Sequence, residues 1–277
     1  MEIRFGTDGW RGVIAKEFTF ENVGIVAQAT MDWMAREGLA DDGVIIGYDR
    51  RFLSREFAEL VAEVACGNNI AVRFCDEVSP TPAVSWAVKN LHAGAGIIIT
   101  ASHNPPIYNG FKIKERFGGS ARPETTNLLE QIITYNCENN RQVIRTPFHE
   151  GCASGLITLY DAATPYIQQL GRIVDIPAIS RAGLHVIADP MYGAGSGFFK
   201  RLLGCEEIHT EVNPGFGGCP PEPIGEHLQD LAAAVVSSGA VAGLALDGDA
   251  DRIGAIDEHG NFFSSHAIFT VILNHLL

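Results

Sequence analysis

Residues 97–110 read IIITASHNPPIYNG. Three isoleucines and a threonine have the composition of a buried strand. The run stops abruptly at a hydroxyl, an imidazole, an amide and two prolines. Similar apolar runs flank it on both sides, separated by stretches of helical spacing. GVIIGYD (43–49) and AVRFC (71–75) read as strands, as does AGIIIT (95–100). Residues 20–38 carry helical periodicity and end at a glycine, and SREFAELVAEVACG (54–67) reads as a helix capped by Ser54. TPAVSWAVKNL (81–91) and PETTNLLEQIITYN (123–136) are helices with Pro82 and Pro123 in their first turns. Strands alternating with helices point to a mainly parallel sheet flanked by helices.

The polar stretch NNRQVIRTPFHEGCASG (139–155) interrupts this pattern and reads as a linker. The alternation then resumes. LYDAATPYIQQLGRIV (159–174) reads as a helix broken or started at Pro165, LHVIADP (184–190) as a strand, SGFFKRLLG (196–204) as a helix and EEIHTEV (206–212) as a strand. EHLQDLAAAVVSSG (226–239) is a helix and VAGLALD (241–247) a strand, whereas NPGFGGCPPEPIG (213–225) is too rich in Gly and Pro to be either. RIGAID and FFS form a hairpin around Gly260, and HAIFTVILNHLL (266–277) opens an apolar helix that would be a sticky patch if left exposed. The expected fold is α/β: two similar domains, each with a mixed, mainly parallel sheet between helices, plus the start of a third. The expected bounds are 1–145, 146–258 and 259–277.

Bulk properties exclude several classes. In 277 residues, 46% hydrophobic and 9% aromatic content suffices for packed cores. A net charge of −13 argues against a nucleic-acid surface. No apolar run reaches the length of a membrane span, and MEIRFGTDGWRG lacks the regions of a signal peptide. Six scattered cysteines without a CxxC read as reduced, mostly buried thiols of a cytoplasmic protein.

GLALDGDADR (243–252) is the second strand end that carries chemistry. Asp247, Asp249 and Asp251 repel one another unless a cation joins them, and hard oxygen ligands suit Mg²⁺ or Ca²⁺. Taken alone, such a turn is equally a solvated surface loop. An EF-hand is excluded, because loop position six is Arg252 in place of glycine and the preceding segment is a strand. TASHNPP likewise reads locally as a turn, with Pro105 holding Asn104 extended. Ser102 does not match a Gly-x-Ser-x-Gly elbow, but it lies just past a strand's carboxyl end, where open α/β sheets bind ligands. A phosphorylated serine there could complete the coordination of a cation held by the aspartates. TDGWRG (7–12) reads as a Gly-rich turn holding Arg11. GYDRR (47–51) ends a strand in two arginines, and YNGFKIK (108–114) reads in isolation as a strand with snorkelling lysines.

Together FGTDGWRG, GYDRRFLS, TASHNPPIYNGFK and DGDADR resemble the ordered motifs of the α-D-phosphohexomutase family, which includes phosphoglucomutases and phosphomannomutases. The resemblance covers essentially the whole chain. It implies that Ser102 carries a phosphoryl group and that Asp247, Asp249 and Asp251 bind Mg²⁺ together with the phosphorylated Ser102. It implies catalytic roles for Arg11, Lys112 and His103, with Arg51, Arg252 and Asn104 near substrate or phosphate. The implied substrates are glucose or mannose phosphates, exchanged between 1- and 6-positions through a 1,6-bisphosphate; TASHNPP with YNGFK leans away from the phosphoglucosamine mutases. No E-x-S-G-type or R-x-S-G-T-type loop is found, so the resemblance implies an N-terminal two-domain portion, with self-association possible through the terminal helix. Two rival expectations are a non-catalytic fragment that binds metal and phosphosugar weakly, and a phosphatase using an aspartyl nucleophile in DGDAD.

Overall fold

The isoleucines at 97–99 form the middle of a six-stranded sheet, and their alternation explains its two packed faces. A computed structural model describes residues 3–6 and 8–277; Thr7 of TDGWRG lies outside the described residues. The chain splits into two compact units, Met1–Ala101 with Ile107–Ala163, and Ser102–Pro106 with Thr164–Leu277. The first contains β1 (Trp10–Val13), α1 (Phe20–Arg36), β2 (Val44–Tyr48), α2 (Ser54–Gly67), β3 (Val72–Cys75) and α3 (Thr81–Asn90). It continues with β4 (Ala95–Ile99), β5 (Tyr108–Glu115), α4 (Pro123–Glu138), α5 (Phe148–Ser154) and β6 (Ile157–Tyr160). Strand order is β1-β5-β4-β2-β3-β6, with β4-β2-β3-β6 parallel and β5 antiparallel to both β4 and β1.

Strands β2 and β4 are buried at every position, as expected for a parallel sheet covered on both faces. Ile46, Ile97 and Ile99 join the core with Val26, Met34, Phe57, Val61 and Phe111. Ile45 and Ile98 point the other way, to Val84 and Val88 of α3. α3 approaches closely because glycine sits beneath it in both strands. A Cβ at Gly47 would lie 2.5 Å from Val84 Cγ2, and one at Gly96 would lie 2.5 Å from Val88 Cγ2.

The second unit contains α6 (Ala163–Ile173, whose first residue belongs to the first unit), α7 (Ile176–Ala182), β7 (Val186–Asp189), α8 (Phe198–Leu203), β8 (Glu206–Glu207) and α9 (Gln229–Ser238). It ends with β9 (Ala242–Leu246), β10 (Ile253–Asp257), β11 (Phe262–Phe263) and α10 (Ser265–Leu276). Its sheet runs β11-β10-β9-β7-β8, with β9-β7-β8 parallel and the β10–β11 edge antiparallel. Leu228, Leu231 and Val235, at and within α9, pack on Ile187, Ala245 and Ile256. α10 buries no residue completely and leaves Phe269, Val271, Ile272 and Leu276 exposed. Among the described residues, no helix is long and apolar enough to cross a membrane.

Several expectations are corrected. The segment read as a linker folds into α5 and leads to β6, which pairs with β3, so the first compact unit runs on to Ala163. A Gly-rich start hid β1: TDGWRG contributes Trp10–Gly12 to a strand paired with β5, and Arg11 stands opposite Gly110. Strand β8 shrinks to two residues, and α7 was not anticipated. The thiols are not mostly buried: Cys66 and Cys75 are, but Cys137 and Cys152 are exposed.

Ser54 also changes role, beside a buried Arg51. Arg51 Nε lies 3.2 Å from Asp49 Oδ2 with both side chains fully enclosed, and Arg51 Nη1 donates to Tyr108 O at 3.1 Å. Ser54 Oγ does not cap its helix; it donates to Asp49 Oδ1 at 2.7 Å and accepts from Asn109 Nδ2 at 2.9 Å. Burial pushes the Asp49 carboxyl up, and Arg51 opposes that rise. The buried Arg51 guanidinium clamps the end of β2 to the start of β5. Removing it strands a buried carboxylate. Arg51→Met should therefore destabilise the first unit by about 3–5 kcal/mol, read as a fall in the urea midpoint.

Candidate active site

Ser102 follows β4 by three residues and has φ 55°, a left-handed conformation uncommon for serine. Its loop, Ser102–Pro106, groups with the second unit. There Ser102 is fully buried, and its Oγ donates to Asp247 Oδ2 at 2.8 Å. Asp247 sits just past β9. Its other oxygen, Oδ1, accepts the backbone N–H groups of Asp251 (2.9 Å) and Arg252 (3.0 Å). Ala250, with φ 59°, turns the loop so that one oxygen from each of Asp247, Asp249 and Asp251 lies within 4.8 Å of the others. Asp247 and Asp249 are buried, and Asp251 is exposed.

Like charges about 4.8 Å apart repel by about 3 kcal/mol at an effective dielectric constant of about 20. Burial, then the charges of Asp249 and Asp251, push the Asp247 carboxyl well above its usual range; the Ser102 and Arg252 hydrogen bonds oppose the rise. A divalent cation would relieve both penalties. The donor set is three carboxylates with a hydroxyl beside them, all hard oxygen, which fits Mg²⁺ or Ca²⁺ and not a thiophilic metal.

Glycine makes this convergence possible. A Cβ at Gly248 would lie 2.5 Å from Ser102 O and 3.0 Å from Pro221 Cγ. Gly248 N donates to Pro221 O (3.2 Å), and Ala194 N donates to Gly248 O (2.9 Å). The Gly- and Pro-rich loop at 213–225 therefore buttresses the carboxylate loop. It also brings Glu222 Oε1 within 4.0 Å of His103 Nε2. His103 and Asn104 are half-buried in the serine loop, and Arg252 is exposed with Nε 3.9 Å from Asp251 Oδ1.

Besides Arg51, two predicted residues lie in the first unit. Arg11 is half-buried on β1. Lys112 stands opposite Ile98 on β5 and is only 1% exposed, so it does not snorkel. Its Nζ lies 2.7 Å from Asp8 Oδ2, while Asp8 Oδ1 accepts from Lys114 Nζ (3.2 Å) and Ser120 Oγ (2.6 Å). Asp8 was missed in the sequence. The available signal was a lysine pair on a strand buried on both faces, which demands a counter-ion. Burial raises the Asp8 carboxyl, but Lys112 and Lys114 outweigh it and hold it at about 2.

Comparison with known proteins decides the family. The profile for phosphoglucomutase/phosphomannomutase alpha/beta/alpha domain I matches residues 2–140, and that for domain II matches residues 164–260. The chain belongs to the phosphoglucomutase/phosphomannomutase family. It is 32% identical over 282 residues to the phosphoglucomutase/phosphomannomutase of Thermococcus kodakarensis, covering 99% of this chain and 59% of the relative. It is 34% identical over 283 residues to a provisionally named phosphoglucosamine mutase of Methanothermobacter thermautotrophicus, covering 98% and 58%. A Thermus thermophilus crystal structure with a provisional phosphomannomutase name superposes with TM-score 0.87 at 33% identity, covering 99% of this chain and 61% of that one. The chain thus spans about three fifths of the length of the curated relatives it matches.

Two outcomes follow for this family member. Gly248→Ala must displace Ser102 or Pro221, so any divalent cation held by the three aspartates should bind at least about tenfold more weakly by calorimetry, without unfolding. For Asp8 the folded-state pKa of about 2 lies below the ordinary 3.8. Its stabilisation is therefore complete above the ordinary value and drains as pH falls through 2. After allowance for partial exposure, about 1–2 kcal/mol should disappear. Asp8→Asn should flatten that part of the acid-unfolding profile.

Proposed function

We propose that this chain carries the phosphoryl-transfer portion of an Mg²⁺-dependent phosphohexomutase that interconverts hexose 1- and 6-phosphates. The observation that carries the reading is Ser102 Oγ at 2.8 Å from Asp247, in a loop where three aspartates converge. A phosphoryl group on Ser102 would add about −1.5 to −2 charge and three acceptor oxygens beside those carboxylates. Asp247, Asp249, Asp251 and the phosphorylated Ser102 would hold Mg²⁺, which when bound neutralises phosphoryl charge and polarises a phosphoryl oxygen.

The roles of the chain's own groups follow from what phosphoryl transfer needs, namely positioning and charge stabilisation. Ser102 is fixed by its buried contact with Asp247 and by its left-handed backbone. Its P–O bond breaks as a bond forms to a free hydroxyl of the hexose phosphate; that hydroxyl's proton passes to His103, and the Ser102 oxygen takes up a proton as it leaves. The resulting 1,6-bisphosphate reorients and returns its other phosphoryl to Ser102, so the enzyme ends as it began. Arg11 and Lys112 offset charge on the moving group, and Asn104 and Arg252 contact substrate or phosphate. Concentrated cations of this kind can draw an anionic sugar despite a net charge of −13. In the same reading residues 1–145 carry the phosphoserine and 146–258 the metal loop. Residues 259–277, with the exposed face of α10, open a further domain.

A second reading takes an amino-sugar phosphate as substrate. It is supported by the 34% identity to a relative named as a phosphoglucosamine mutase. Phosphorus NMR of the purified protein with glucose 1-phosphate, mannose 1-phosphate or glucosamine 1-phosphate separates the two. We expect acid-stable phosphate on Ser102, and Ser102→Ala should lower exchange at least about 10³-fold. Exchange near the wild-type rate in that variant would overturn the assignment. Acid-labile phosphate on an aspartate would favour the phosphatase chemistry instead, and neither phosphate nor exchange would leave a binding role.

A further inference from the structure

The carboxylate loop rests on a turn held in an unfavourable conformation. Pro190–Gly193 follow β7 and close through Gly193 N–H donating to Pro190 O at 2.8 Å. The central residues, Met191 and Tyr192, have φ 48° and 60°. Positive φ at both positions is the type I′ pattern, which favours Asn and Gly. Two bulky L-residues there cost roughly 1–2 kcal/mol each. Such a conformation persists only where its surroundings over-determine it.

The surroundings converge on His209. Asp189 Oδ1 accepts the Met191 N–H at 2.7 Å, and Asp189 Oδ2 lies 3.0 Å from His209 Nδ1. Tyr192 N donates to His209 O at 2.9 Å, and the Tyr192 ring stacks on the imidazole at 4.7 Å. Asp230 stands 3.5 Å from His209 Nε2 on the far side. The turn so held meets the carboxylate loop directly. Ala194 N donates to Gly248 O at 2.9 Å, and a Cβ at Gly193 would lie 2.7 Å from that same oxygen.

We propose that His209 is a positioning residue for the Asp247–Asp249–Asp251 cation site. It grips Asp189 and Tyr192, these keep the 190–194 turn left-handed, and the turn sets Gly248 and thereby the spacing of the flanking aspartates. The proposal rests on the reading of those aspartates as a cation site. Without His209 the turn relaxes towards negative φ, and Ala194 leaves Gly248.

Calorimetric titration of the 277-residue chain with Mg²⁺ alone tests this. Asp249→Asn should abolish binding. His209→Leu should weaken it about tenfold, and His209→Asn, which restores a donor near the Nδ1 position, should stay within about threefold of wild type. The decisive variant adds Met191→Asn and Tyr192→Gly to His209→Leu. Asn-Gly adopts the type I′ turn unaided, so Mg²⁺ affinity should return. If His209→Leu binds as wild type while Asp249→Asn does not bind, the role of His209 is overturned and the cation reading stands. If affinity is lost but not restored by Asn-Gly, His209 merely packs, and the proposal fails. No binding by wild type would sink both. Should His209→Leu fail to fold by circular dichroism, His209→Gln replaces it. Gln does not place its amide near Nδ1, so equal affinity of the Gln and Asn variants would overturn the proposal.

Discussion

Asp247 carries opposed demands that shape the whole second unit. It is buried, it lies among two further carboxylates, and it accepts hydrogen bonds from Ser102 and from the loop's own backbone. Burial and repulsion favour its neutral form, whereas the donors favour its charge. A site so poised is tolerable as a place for a cation and costly otherwise. Much of the nearby structure serves to keep the loop in that state. β9 delivers Asp247 to the carboxyl edge of the sheet, where open α/β sheets bind ligands.

Close approach of backbones is the means. Gly248 lets Ser102 O and Pro221 come against the loop from one side, and Gly193 lets the 190–194 turn come against it from another. Neither glycine has positive φ; each is required by space, because any side chain would meet backbone atoms. The strained residues lie around them: Ser102, Met191, Tyr192, His209 and Ala250 all have φ between 48° and 60°. Strain of this kind gathers where geometry serves a purpose beyond stability. In the first unit the same economy appears as ion pairs, Asp49–Arg51 fully enclosed and Asp8–Lys112 with only its lysine buried.

Much of this was legible in the sequence. The alternation of apolar strands with helices predicted both sheets, since buried parallel strands read as continuous apolar runs, as β2 and β4 do. TASHNPP and DGDADR stood out because polar groups at strand ends need a reason. Other features lacked a local signal. β6 carries only ITLY after a polar stretch, and it becomes a strand because β3 offers an unpaired edge. β1 hid behind glycines: Gly9 both turns the chain, with φ 111°, and lets it approach Phe111 O closely. The burial of Arg51 had no local signal, because its partner Asp49, two residues away, says nothing about burial.

Residue order alone determined the fold class, the family motifs and the chemical identity of the donors: one hydroxyl and three carboxylates. Periodicity and motif spacing are local properties, so they survive without coordinates. Tertiary structure decided which charges are buried and which partner each one takes. It placed Ser102 against Asp247, 145 positions further along the chain, gave Lys112 to Asp8, and set His209 under the turn that supports Gly248. Those choices depend on desolvation and on contacts between segments distant in the chain. Neither is written in any local stretch of sequence.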